Sequence, residues 1–216
     1  MPSNAELSRE VQQLRAEIVQ LRESVSAIST FYEEMKKKHE LTSAENKSLQ
    51  KSNDELAAKL ADMEQRSRIN NVEIKGVPLK KGEDCATILQ KMGDVIDCPI
   101  KKDDIDAVHR VPAKKDTNII ATFCSRVKKD EFLRKARRAR LTTESLGFAQ
   151  SQGANVYVND HLTPNNKRLF AQALSLKREK QWKFLWVDNG RIKVRKTEDS
   201  RVHVIASVQD LSVMRE

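Results

Sequence analysis

A heptad repeat that runs in one register from Leu7 to Met63 constrains this chain more than any other feature. One set of seam positions is Leu7, Leu14, Leu21, Ile28, Met35, Thr42, Leu49, Leu56 and Met63. The interleaved set is Val11, Ile18, Val25, Tyr32, His39, Asn46, Asn53 and Leu60. These are d and a positions of a coiled coil, and no Pro or Gly interrupts them. At ~1.5 Å per residue the helix would be roughly 85 Å long. A helix packed on its own domain would carry a wider apolar stripe than this two-position seam.

The seam also speaks to oligomer state. Val11, Ile18 and Val25 are β-branched at a, with Leu at d, a combination that favours two parallel strands. Asn46 and Asn53 at a penalise slipped registers, in which each would lose its polar partner. In a parallel pair Glu10 would meet Arg15, Glu17 would meet Arg22 and Lys59 would meet Glu64. Such exposed pairs contribute about 0.2–1 kcal/mol each. A parallel homodimer is the favoured reading, with a trimer left open. The stretch from Tyr32 to Asn53 is the weakest, because Tyr32, His39, Thr42, Asn46 and Asn53 make a polar seam.

Charge divides the chain at the same place. Residues 1–66 carry a net charge of −2 and residues 67–216 a net charge of +11. A basic region of this kind calls for an acidic partner, and nucleic acid is the default. The three cysteines, Cys85, Cys98 and Cys124, show no CxxC spacing, which argues against a zinc site and against a disulfide framework. They read as buried thiols in a reducing compartment. No apolar run approaches ~20 residues, and the N-terminus lacks the pattern of a signal peptide. A cytoplasmic or nuclear protein with no membrane partner is the expectation.

After the heptads, Val72–Lys75 alternates like a strand and Gly76 and Pro78 stop it. A helix is expected over Glu83–Ile96, strands over Ile105–Val111 and Ile119–Phe123, and a basic helix over Val127–Leu141. The order β-α-β-β-α matches the start of a ferredoxin-like, RRM-like unit, assigned to 69–146. A last strand is sought between Thr142 and Phe148, and Gly147–Gly153 reads as a linker. A second, basic α+β unit is assigned to 154–216. It begins with a strand over Asn155–Asn159, then a helix capped by Thr163 with Pro164 at its first position. Strands on either side of Asp188-Asn189-Gly190 form a hairpin, a strong turn signal. A strand over Val202–Ile205 and a short terminal helix complete the unit. The fold class is thus α+β behind a long coiled coil spanning 1–66.

Three groups of cations stand out. The first is the helix 126–140, where Arg126, Lys128, Lys129, Arg134, Lys135, Arg137, Arg138 and Arg140 face only Asp130 and Glu131. Cations at this density can follow a phosphate backbone, with affinity driven by counterion release. The second is the hairpin. With Asn189 and Gly190 in the turn, Asp188 faces Arg191, Trp186 faces Lys193 and Phe184 faces Arg195, all on one side. Rings beside cations make a single-strand platform. The competing assignment puts Trp186 and Phe184 in the core, since one register slip reverses the faces. The third group is Lys167 and Arg168 near a helix start, with further cations at its end, where they also suit the macrodipole. No glycine-and-aromatic run marks the third strand of the middle unit, whose one ring is Phe123.

No catalytic constellation is visible. His109, His161 and His203 are scattered, no Gly-rich phosphate loop occurs, and no cofactor or metal is implied. Asp160-His161 reads as a turn element leading into the Thr163 cap.

The run Val156–Thr163, the helix with Asn165-Asn166-Lys167, the segment 186–196 and Ser200-Arg201-Val202 together resemble the C-terminal domain of the baculovirus few-polyhedra (FP) protein family, which has mobile-element-derived members in insects. The resemblance covers roughly residues 69–212. The domain order also resembles the first open-reading-frame proteins of LINE-type retrotransposons, which are commonly trimers. These resemblances imply non-catalytic binding of single-stranded RNA or DNA and chaperoning of strand exchange. An adaptor that meets acidic proteins through its basic surface, and other chains through its coiled coil, is the alternative. The seam residues taken to join chains are Leu7, Val11, Leu14, Ile18, Leu21, Val25, Ile28, Asn46, Leu49, Asn53, Leu56, Leu60 and Met63.

Overall fold

The computed structural model describes residues 3–112, 117–148 and 153–215. The chain divides into two units, Met1–Lys59 and Leu60–Glu216. The first is helical from Asn4 onward, part of a continuous helix α1 (Asn4–Arg66). Its large apolar seam side chains are exposed in the single chain, from 44% at Leu7 to 67% at Leu49. The hydroxyls of Ser24, Thr30 and Thr42 fold back onto the helix. Thr42 Oγ1, at a seam position, donates to the Lys38 carbonyl at 2.9 Å, and Ser24 Oγ, beside the seam, donates to the Gln20 carbonyl at 2.9 Å.

The second unit holds two sheets. The first is built from β1 (Asn71–Lys75), β2 (Ile105–Pro112), β3 (Thr117–Phe123) and β4 (Tyr157–Asp160), in the order β2-β3-β1-β4. Every neighbouring pair is antiparallel. Helix α2 (Cys85–Val95) connects β1 to β2, and α3 (Arg126–Ala139) lies between β3 and β4 in the chain. Asp84 caps α2 by accepting from the Ala86 and Thr87 amides at 3.1 and 3.2 Å. Alternation along β1 and β3 turns Val72, Ile74, Ile119, Ala121 and Phe123 onto Leu89, Met92, Phe132 and Ala136 of the two helices. The Phe123 and Phe132 rings lie 5.5 Å apart. Arg110 of β2 locks the β1–α2 connection. It holds Glu83 through two bonds of 2.5 and 2.8 Å and donates to the carbonyls of Val77 and Pro78.

Two sequence expectations change here. The strand expected to open the C-terminal unit is β4, and it pairs with β1, with Glu73 opposite Asn159 and Ile74 opposite Val158. Its alternating Val156 and Val158 find a larger apolar surface in the first core than the smaller second core offers. The segment 142–148, expected as the last strand, forms turns, with a lone bridge from Thr142 to Asn155. Residues 149–152 of the expected linker lie outside the described residues.

The second sheet is β5 (Phe184–Asp188), β6 (Arg191–Arg195) and β7 (His203–Ile205), antiparallel and in that order. Helix α4 (Pro164–Glu179) packs on it, capped by Thr163, whose hydroxyl accepts from the Asn166 amide at 3.2 Å. The expected short terminal helix is a 3₁₀ helix, Gln209–Met214. Leu169, Ala173, Trp182, Ile192, Val194, Ile205, Leu211 and Met214 form this smaller core. Asn189 and Gly190 both have positive φ, 52° and 73°, as a two-residue hairpin turn requires.

The cysteines do not share one environment. Cys98 is buried and Cys85 half-buried, and burial raises the pKa of both thiols. Cys124 is exposed, contrary to the sequence reading, because it lies one residue past the last core position of β3, Phe123.

Candidate nucleic-acid interface

Helix α3 sorts its cations by helical phase. Lys129, Phe132, Leu133 and Ala136 occupy the buried stripe, following the i, i+3, i+4, i+7 rule. Lys129 was expected among the phosphate contacts and does not belong there. Its side chain is 1% exposed, and its Nζ lies 2.8 Å from Asp160 Oδ1 and 3.1 Å from Asp130 Oδ1. A buried ammonium requires such partners, since an unpaired one would be strongly disfavoured. Other cations of α3 are partly neutralised along the helix. Arg126 lies 3.7 Å from Asp130, Lys128 3.9 Å from Glu131, and Lys135 3.1 Å from Glu131, with a further bond to the Asp97 carbonyl. Arg134, Arg138 and Arg140 are exposed. Arg140 ends the helix with φ 49°.

The hairpin has the register read from its turn. Phe184 opposes Arg195, Trp186 opposes Lys193 and Asp188 opposes Arg191. Leu185, Val187, Ile192 and Val194 face the smaller core. That settles the competing assignment: Trp186 and Phe184 are half-buried on the opposite side from the core residues. The Arg195 guanidinium stacks 4.6 Å from the Phe184 ring centroid, and Lys183 lies 5.4 Å from it. Lys193 pairs with Asp188 at 2.6 Å, and Arg191 is exposed. Exposed Val204 continues this face from β7, opposite Lys193.

Between these elements runs a groove that the sequence did not reveal. Its larger compartment, about 490 Å³, lies where β4, α3, α4 and β5 meet. Arg137, Lys167 and Lys75 supply cations to its lining, and Trp186 and Phe170 supply rings. A second compartment of about 420 Å³ adds Arg140 and Tyr157. Both compartments are lined by Arg137 and Asn159, so the two share a wall.

Two buried carboxylates hold the groove's cations in position. Asp160 accepts from Arg137 at 3.0 Å as well as from Lys129. Glu73, 4% exposed along its side chain, accepts from Lys167 at 2.9 Å and Asn118 at 2.8 Å, with Lys75 at 3.6 Å. Burial pushes the Glu73 carboxyl up, but the Lys167 hydrogen bond and the charges of Lys75 and Lys167 outweigh it, and its pKa falls below the ordinary value. His161 follows β4 and is half-buried. Burial, then the charge of Lys167, lowers its pKa. Arg168 is exposed on α4.

Of the residues expected from sequence, the groove gathers Arg137, Arg140, Lys167 and Trp186. Lys75, Tyr157, Asn159 and Phe170 were missed. Their common signal is position beside β4, which became visible only when that strand joined the first sheet. No group of three or more His, Cys, Asp or Glu that could hold a metal occurs among the described residues. Among them, too, no helix is long and apolar enough to cross a membrane.

The chain is therefore a mixed α+β protein with a long N-terminal helix and two small sheets, the second of them basic. Residues 163–215 match the family described as baculovirus FP protein domain 2, which supports the FP resemblance read from the sequence. The match begins at the α4 cap and takes in the whole smaller core. No curated protein matches the chain.

Proposed function

We propose that this protein is an oligomeric, non-catalytic single-strand nucleic-acid-binding protein. In this reading the seam of α1 pairs with other copies as a parallel coiled coil. The four-stranded sheet with its two helices is a ferredoxin-like, RRM-like unit. The order β2-β3-β1-β4, all antiparallel, with helices after β1 and β3, supports that reading.

The observation that carries the functional reading is the groove, where Arg137, Arg140, Lys167 and Lys75 alternate with Trp186, Phe170 and Tyr157. Unpaired bases can stack on rings while phosphates meet cations, whereas a duplex keeps its base faces stacked inside. Two or more such heads on one stem would bind a strand by avidity. The test is a fluorescence titration of a labelled single-stranded oligonucleotide across a range of salt. Binding that weakens steeply with salt is expected, with a slope of ~0.7 per phosphate contact. Absence of binding, or a flat salt dependence, would sink the proposal.

The adaptor reading draws on a different feature: β4 and β5 are edge strands beside the groove, and an extended peptide can add to such an edge. Replacing Arg137, Arg138 and Arg140 with Ala separates the two. Unchanged strand affinity together with loss of acidic protein partners favours the adaptor.

A further inference from the structure

We infer that the last turn of α1 is a latch on the connection between β4 and α4, and that this latch holds the two walls of the groove in place. Gln65 lies in that turn and is 9% exposed, unusual for a glutamine on an otherwise solvated helix. Its Nε2 donates to the His161 carbonyl at 3.0 Å. Its Oε1 accepts from the Thr163 amide at 3.0 Å and from Asn166 Nδ2 at 2.9 Å. The opposite amide orientation would aim an NH₂ group at two donors, so the three partners define which way the side chain lies. The hairpin tip rests on the same residue, where a Cβ at Gly190 would stand 2.9 Å from Nε2 and 3.2 Å from Cδ.

These contacts reach both walls. His161 directly follows β4, Thr163 starts the helix that carries Lys167 and Phe170, and Gly190 follows β5. The turn itself is well anchored. Ser67 and Asn71 amides bond back to Met63 and Arg68 at 2.9 and 3.0 Å, and Arg68 donates to the Glu64 carbonyl at 2.7 Å. The bonds formed by Gln65 are neutral, so salt that screens the groove's charges leaves the latch intact. Rotation or fraying of this turn would therefore reach His161, Thr163 and Gly190 together. Since α1 is the segment that would pair with another copy, the latch gives assembly a route to the groove. That last consequence rests on the proposed function; the latch itself does not.

The test is amide hydrogen exchange on the full-length protein and two variants. Gln65→Ala leaves the buried Thr163 amide and His161 carbonyl without partners. It is expected to speed exchange at Thr163 and Gly190 by about tenfold or more, with β1 and β3 unaffected. Gln65→Glu keeps acceptors for Thr163 and Asn166 but cannot donate to His161, and should fall between the two. It remains readable if the alanine variant fails to fold. Wild-type exchange at Thr163 in Gln65→Ala overturns the latch, and in Gln65→Glu so does wild-type exchange throughout the β4–α4 connection and the hairpin tip. So does equal acceleration through β1 and β3, which would make Gln65 a general stability residue. The same proteins are titrated with the oligonucleotide, where Gln65→Ala should bind several-fold more weakly. If wild type binds no strand, the nucleic-acid reading fails while exchange still decides the latch. If wild type and variant bind equally, the link from latch to groove fails.

Discussion

Lys129 of α3 and Lys193 of β6 each sit one hydrogen bond from an aspartate, at 2.8 and 2.6 Å, yet the two pairs belong to different kinds of structure. The first is sealed, with side-chain exposures of 1% and 6%. The second stands open at 27% and 46%. Sealing turns a cation into a structural part, because the carboxylate that neutralises it also withdraws it from any ligand. Leaving the pair open keeps the lysine available to a phosphate, which can displace an aspartate held by a weak exposed interaction. The first sheet thus spends several cations on internal pairs, as with Arg110 and Glu83, while the hairpin lays Arg195 against Phe184. Density of charge in a sequence says little about binding until these two uses are separated.

The comparison can be broken most directly at the sealed pair. Asp160→Ala leaves the Lys129 ammonium buried without its main partner and should cost about 3–5 kcal/mol of stability in a denaturant titration. The double replacement Lys129→Met with Asp160→Leu should recover most of that loss. If Asp160→Ala alone proves mild, Lys129 is less enclosed than its exposure indicates.

Trp186→Ala comes next and concerns binding. It should weaken single-strand affinity by about 1–3 kcal/mol while leaving the salt slope unchanged, since a lost stacking contact releases no counterions. A changed slope with intact affinity would mean that Trp186 is not a stacking residue. Replacing Arg134, Arg138 and Arg140 together with Ala should lower the slope, by about 0.7 for each of the three that meets a phosphate. Lys129→Met should leave it unaltered, provided that the fold is intact.

Acidity offers a smaller test. The His161 pKa is depressed in the folded chain from an ordinary value of 6.5, mainly by burial and then by Lys167. The unfolded chain therefore binds that proton first. Stability from neutral His161 is complete above pH 6.5 and is lost as pH falls through the lower folded value. Glu73, also depressed, extends the loss further into the acid range, below its ordinary 4.5. Melting temperatures measured on either side of pH 6 should show the first decline, and His161→Gln should flatten it. The smallest effect belongs to the open pair: Asp188→Ala should change stability by less than about 1 kcal/mol.

Much of this molecule was legible from residues alone. The long helix followed from an uninterrupted heptad pattern, α2 from the helical spacing of its apolar residues, α4 from its cap, and the hairpin from Asn189-Gly190, down to the pairing of Trp186 with Lys193. What misled was β4. Asn155–Asn159 looks like the start of whatever follows it, because chain order is the only neighbour relation a sequence displays. Its pairing with β1 spans some eighty residues, and no local signal encodes that. The missed groove residues follow from the same error, since they line a space beside β4.

The sequence by itself determined the local terms: where helices begin, which face of each strand is apolar, and how unevenly charge is distributed. These depend on residue type and spacing within a few positions. Only the tertiary structure decided which cations are buried and which line a groove, and that Gln65 ties the β4–α4 connection to the hairpin tip. Those outcomes depend on which distant carboxylate or carbonyl comes within hydrogen-bonding distance, as Asp160 does for Lys129 and His161 does for Gln65.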